Sequence, residues 1–191
     1  MMIPITEAGQ VARYGGLFGE MMLKRDGEEC EFSPAWLSNH GWMVVPAESM
    51  ARIPPADIPR IVAALRELGY ASCTAVFNEP GYIRALPAFV PTDPPSNMPT
   101  CYRVTVDEAD FGELNRTLGL FRFILAAEDR SWAISCTEWY NLFAGAESFL
   151  EALLGRPIER ARQEFMQFAS LMARGNSGDP LVQTALRYAV V

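Results

Sequence analysis

The most regular pattern in the chain lies in its C-terminal half, where short apolar segments follow one another across brief polar connections. LFRFILAAE, SWAISCT and WYNLFAG, which begin at Leu120, Ser131 and Trp139, are separated by little more than EDR and TE. Segments of this length and composition, joined this tightly, predict an antiparallel three-stranded meander. Alternation along the middle strand places Trp132, Ile134 and Cys136 on one face and Ser131, Ala133 and Ser135 on the other. It predicts a buried Trp132, and it leaves Trp139, which follows Glu138 at a turn, as the exposed aromatic.

Upstream, the period lengthens. Ile58, Ile61, Val62, Leu65 and Leu68 recur at helical spacing after Asp57, a candidate N-cap, and stop at Gly69, after which ASCTAVF reads as a strand. CYRVTV, DEADFGELNRTLG and the meander's first strand repeat the order strand, helix, glycine, strand. WMVV, before Pro46, is a buried-strand candidate, and DGEECE reads as a loop entering the core. At the N-terminus Val11, Tyr14, Leu17, Phe18, Met21 and Met22 predict an amphipathic helix from Thr6 to Gly27. Gly15, Gly16 and Gly19 each cost such a helix about 1 kcal/mol relative to alanine, so a close neighbour is expected there. Beyond Gly145, ESFLEALLG predicts a short helix. Pro157 opens a longer one with Ile158, Ala161, Phe165, Phe168 and Met172 on its apolar face, and Asp179 and Pro180 start a last one.

Assembled, these elements predict an α+β fold: an antiparallel or mixed sheet with a meander in its C-terminal half, and helices packed on one face and at both ends. With 191 residues, half of them apolar, the chain is long enough for one domain over 1–191. The proline-rich stretch 78–100 is a candidate subdomain boundary, with a short strand expected near Ile83 to Leu86.

Composition then narrows the chemistry. A net charge of −7 argues against a nucleic-acid footprint and for good solubility or a basic partner. The cluster Arg156, Arg160 and Arg162 does not reverse this, because Glu159 and Glu164 interrupt it. His40 is the single histidine, so metal sites that need two imidazoles are excluded. Lys24 is the single lysine, so Schiff-base or P-loop chemistry would have to use it, and the absence of phosphate-loop glycines before it argues against the latter. Cys30, Cys73, Cys101 and Cys136 form no C-x-x-C pair and read as reduced, mostly buried thiols. The start MMIPITEAGQ lacks a signal-peptide pattern and no apolar run approaches a membrane span, so a cytoplasmic protein without membrane contact is expected. No cofactor or metal is implied.

The meander and the helix after it, FRFILAAEDRSWAISCTEWYNLFAG followed by ESFLEALLG, resemble the small acidic bacterial immunity proteins that neutralise polymorphic toxins. The resemblance spans residues about 120–155. It implies a cytoplasmic, non-enzymatic binding protein whose acidic face occupies a basic toxin site. The candidate partner-binding residues are Glu128, Asp129, Glu138 and Trp139, with Asp107, Glu108 and Asp110. Two alternatives stay open. One is a small-ligand-binding protein or enzyme with a pocket near His40, between the sheet and segment 78–100. The other is a homo-oligomeric assembly subunit that associates through its C-terminal helices.

Overall fold

The computed structural model describes residues 2–25, 28–49, 52–77, 100–118, 122–137, 139–176 and 178–189. In chain order the elements are β1 (Ile3–Ile5), α1 (Ala8–Met21), β2 (Met22–Arg25), β3 (Glu28–Phe32), α2 (Pro34–His40), β4 (Met43–Glu48), α3 (Ile58–Glu67) and β5 (Ser72–Phe77). They continue with β6 (Cys101–Thr105), α4 (Glu108–Leu118), β7 (Phe123–Ala126), β8 (Trp132–Cys136), β9 (Tyr140–Gly145), α5 (Glu147–Leu154), α6 (Ile158–Ala173) and α7 (Pro180–Tyr188).

The fold is α+β. Seven strands form one sheet in the order β1-β6-β5-β7-β8-β9-β4, with every pairing antiparallel. The meander β7-β8-β9 forms as expected, and β4 joins its far side, with Met43 opposite Gly145 and Glu48 opposite Tyr140. A separate hairpin pairs β2 with β3. Residues 22–25 therefore extend where a helix running to Gly27 was expected, and 28–32 form a strand rather than a loop. The short strand expected near Ile83 to Leu86 and the candidate boundary at 78–100 lie outside the described residues, apart from Thr100.

Helices extend further round the sheet than one face and two ends. Ile134, Phe143, Val104 and Trp132 point to the side where α3, α4 and α5 supply Ile61, Leu65, Phe111, Leu114 and Leu150. Alternate residues, Ala133, Leu142, Ile124 and Val44, point to the other side, against Tyr14 and Phe18 of α1, Trp36 of α2 and Phe165 of α6. Both faces of each meander strand are thus buried, and full burial of side chains this size contributes about 1.5–3 kcal/mol each. α6 packs along β4 at the sheet edge, with Ile158 and Ala161 reaching one core and Phe165 and Ala169 the other. Its buried stripe drifts from the predicted one: Ala169 and Ala173 are inside, whereas Met172 is exposed.

Local chemistry sets the helix ends. The Ser33 hydroxyl accepts from the Trp36 N–H, and the Asp179 carboxylate from the Leu181 N–H at 2.9 Å. Gly41, Gly69 and Gly155 follow α2, α3 and α5 in the left-handed conformation, which a side chain would strain.

The glycines of α1 overturn one expectation. The helix runs unbroken through Gly15, Gly16 and Gly19, yet a Cβ at any of the three would meet no neighbour within 4 Å. All three are exposed, so no close packing accounts for them. Gly→Ala at each is accordingly expected to stabilise the fold by up to about 1 kcal/mol. Urea denaturation of the single variants checks this, and a lowered midpoint would contradict it.

Candidate functional site: the acidic end of the sheet

Strand register determines which loops share an end. Thr105 pairs with Ser72, Trp132 with Gly145 and Gly145 with Met43, so the turns beside these residues all emerge at one end of the sheet. Because the connections flanking β8 lie at its opposite ends, the Glu128–Asp129 turn belongs to this end and Trp139 to the other. A strand of that length separates them by about 15 Å. The predicted acidic meander surface is therefore not one patch.

Five of the seven candidate residues are brought to the first end. Glu128 is half exposed and pairs loosely with Arg103 at 3.4 Å. Asp129 holds its turn together, accepting from the Ser131 N–H at 3.0 Å and the Ser131 hydroxyl at 2.5 Å. The turn closes through Arg130, whose φ of 61° is left-handed. Asp107 caps α4, its carboxylate accepting from the Asp110 N–H at 2.7 Å, and Glu108 lies exposed in the first helical turn, where the helix dipole favours negative charge.

Asp110 is different: only 1% of it is exposed. Its carboxylate accepts from the Thr105 N–H at 3.0 Å. Burial alone would raise its pKa, but hydrogen bonds, including those from Thr105, hold it below the usual carboxylate range. It ties α4 to β6 and leaves the candidate surface.

Two exposed acids that the sequence reading passed over join this end, Glu67 at the C-terminus of α3 and Glu147 in the first turn of α5. Nothing in their local sequence marks them, since only the strand order places the two helices' ends beside the hairpin tip. Among the described residues, Glu67, Asp107, Glu108, Glu128, Asp129 and Glu147 share this end with Arg66, Arg103 and Arg130. Arg66, itself exposed, donates from its Nε to the Val106 carbonyl at 2.8 Å.

At the opposite end, Trp139 is half-buried against the core that holds Tyr140 and Phe165, and its carbonyl accepts from the Ser49 N–H at 3.0 Å. Glu138 lies outside the described residues. Sequence reasoning also missed a buried polar turn here. Arg52 is 5% exposed with φ at 61°, and its carbonyl accepts from the Ser49 hydroxyl and the Asn141 side-chain amide. The neighbouring Ile53 carbonyl takes the Asn115 amide at 2.5 Å.

No family model matches the chain, and comparison with curated proteins and with solved structures returns no match either. The site therefore has to be read from its own chemistry.

His40 ends α2, stacked on Trp36 with ring centroids 3.9 Å apart, and its Nδ1 donates to the Trp36 carbonyl at 2.9 Å. That geometry anchors the ring to its own helix. Burial pushes the Cys73 thiol up to about 12 and raises Cys101 and Cys136 as well, against a weaker opposing effect of Arg52 on Cys136. These thiols, free and buried, stay protonated at neutral pH and are poor nucleophiles. Cys30 lies in β3. Among the described residues, no group of histidine, cysteine and carboxylate side chains is arranged to hold a metal ion, and no helix is long and apolar enough to cross a membrane.

A cavity of about 490 Å³ opens between the end of β4 and α6, lined by Glu48, Ser49, Pro54, Asp57, Arg156 and Glu164 among others. Of its charged groups, Arg156 is already paired with Glu164 at 3.1 Å and Asp57 with Arg60 at 2.9 Å. His40 is not part of its wall.

Proposed function

We propose that this chain is a non-enzymatic protein-interaction module that binds a basic partner through the acidic end of its sheet, as a cytoplasmic immunity protein neutralises a toxin. The observation that carries the reading is the convergence of six exposed or half-exposed carboxylates from separate loops on one end of a rigid sheet. Arginines there balance only part of that charge. A surface of this sign steers a basic partner during encounter and contributes more to association rate than to residence time.

The test begins with capture of a partner by the tagged protein in the presence of toxin-bearing competitors, followed by measured association kinetics. Replacing Glu67, Glu108 and Glu128 together with Gln is expected to slow association about tenfold at low salt, with the difference vanishing at high salt. A rate indifferent to both charge and salt would overturn the assignment.

A second reading, a homo-oligomeric subunit, is favoured by one observation at the C-terminal helices: Leu171 is 78% exposed on α6 and Leu186 52% exposed on α7. Under this reading sedimentation shows a mass that grows with concentration, and Leu171→Glu returns it to that of one chain. A mass constant at 21.2 kDa would discard it.

A further inference from the structure

We propose that a second cavity, of about 380 Å³ between the β2–β3 hairpin, α2, and helices α6 and α7, binds a small organic monocarboxylate with an apolar body. The proposal rests on different residues from the acidic end, so either can fail without the other.

The cavity's lining has an apolar part and a charged part. Leu23, Phe32, Leu37 and Val44 form the first, while Arg162 of α6 and Arg187 of α7 stand on the second. The two arginines are not equivalent. Arg187 pairs with Glu31, which also lines the cavity. Arg162 has no carboxylate partner among the described residues, and its Nε is buried without an acceptor. Its neighbours on the same helix, Arg156 and Arg160, both reach Glu164, whereas Arg162 faces the cavity with its charge unmatched.

A guanidinium N–H withdrawn from water and left without an acceptor is costly, and an incoming anion removes that cost. Among the described residues that line the cavity, two arginines against one glutamate leave a single unbalanced positive charge, which matches a monoanion. The planar fork of a guanidinium fits a carboxylate through two parallel hydrogen bonds. The apolar part of the lining takes an aliphatic or aromatic body, which inorganic phosphate lacks. The volume lies within the range of about 300–1,000 Å³ common to small-molecule sites.

Calorimetric titration of the full chain with octanoate and with 3-phenylpropionate tests the proposal, with octanol and inorganic phosphate as controls. One of the two acids is expected to bind saturably, with octanol and phosphate each at least about tenfold weaker. Arg162→Met should weaken the acid about tenfold to a hundredfold, and Arg162→Lys by less, since it keeps the charge and loses the fork. The unliganded Arg162→Met protein should melt no lower than wild type, because it gives up an unsatisfied charge. Absence of saturable binding by either acid overturns the proposal, as does phosphate binding as tightly as the acids, affinity unchanged in Arg162→Met, or a lowered melting point in that variant. The octanoate–octanol comparison needs no variant and decides the matter if Arg162→Met does not fold.

Discussion

Trp132→Ala is expected to remove about 3–5 kcal/mol of stability, the largest loss from any single substitution considered for this fold. The indole is fully buried in the first strand position of β8. It stacks on Phe149 of α5 with ring centroids 5.4 Å apart and meets Tyr70 edge-on at 5.8 Å. Truncation leaves a cavity between the ring of Phe149 in α5 and that of Tyr70 in the connection after α3, whose separate anchoring limits how far they can collapse into it. Trp132 Nε1, however, is buried without a hydrogen-bond partner. Trp132→Phe therefore loses volume but also loses an unsatisfied N–H, and about 1.5 kcal/mol or less is expected for it. Equilibrium urea denaturation separates the two variants. Equal losses would show that the indole N–H is not a liability, and a small loss for Ala would show that the surroundings relax.

Asp110→Asn is expected to cost about 1.5–3 kcal/mol at neutral pH, the range for hydrogen bonds to a charged group. The shape of the side chain is preserved, so the loss reads the charge-assisted hydrogen bonds to the carboxylate, the one from the Thr105 N–H across the α4–β6 junction among them. The effect depends on pH with a definite sign. Because the folded carboxyl sits below its usual range, its contribution is complete above about pH 5, where the unfolded carboxyl is ionised. It is lost as pH falls through the folded value. Stability curves of wild type and variant should thus run apart at pH 7 and converge towards pH 3. A gap of constant size would mean that the carboxylate contributes nothing through its charge.

Much of this fold was legible from local pattern. The meander followed from alternation and tight connections, and the inward side of Trp132, Ile134 and Cys136 from period two alone. Gly69 and Gly155 marked helix ends because the left-handed conformation after a helix is a local requirement. What escaped was non-local. No pattern in MVVPAE announces that it pairs with residues a hundred positions away. Nor does any pattern show that β5 lies between β6 and β7, or that helices from both halves of the chain cover both faces. The glycines of α1 show another limit: propensity registers the cost of a glycine but not whether anything occupies the space it leaves. The candidate surface divided for a related reason. Sequence proximity placed Glu128 and Trp139 together, whereas the strand between them holds them at opposite ends. Glu67 and Glu147, distant in sequence, share the end that Glu128 occupies.

The position of β4 also gives the chain a problem of timing. Met43 must wait for Gly145 before its strand has a partner, and at about 5–20 residues per second that interval during synthesis is on the order of 5–20 s. Throughout it, an apolar segment with free backbone donors and acceptors sits among other nascent chains, the condition under which strands recruit the wrong partner. Pro46, in the middle of that segment, withholds one donor and stiffens the chain where a foreign strand would have to add. Once β9 arrives and α6 settles along the same edge, the protection passes from a ring in the backbone to a helix, and the window for misassembly closes.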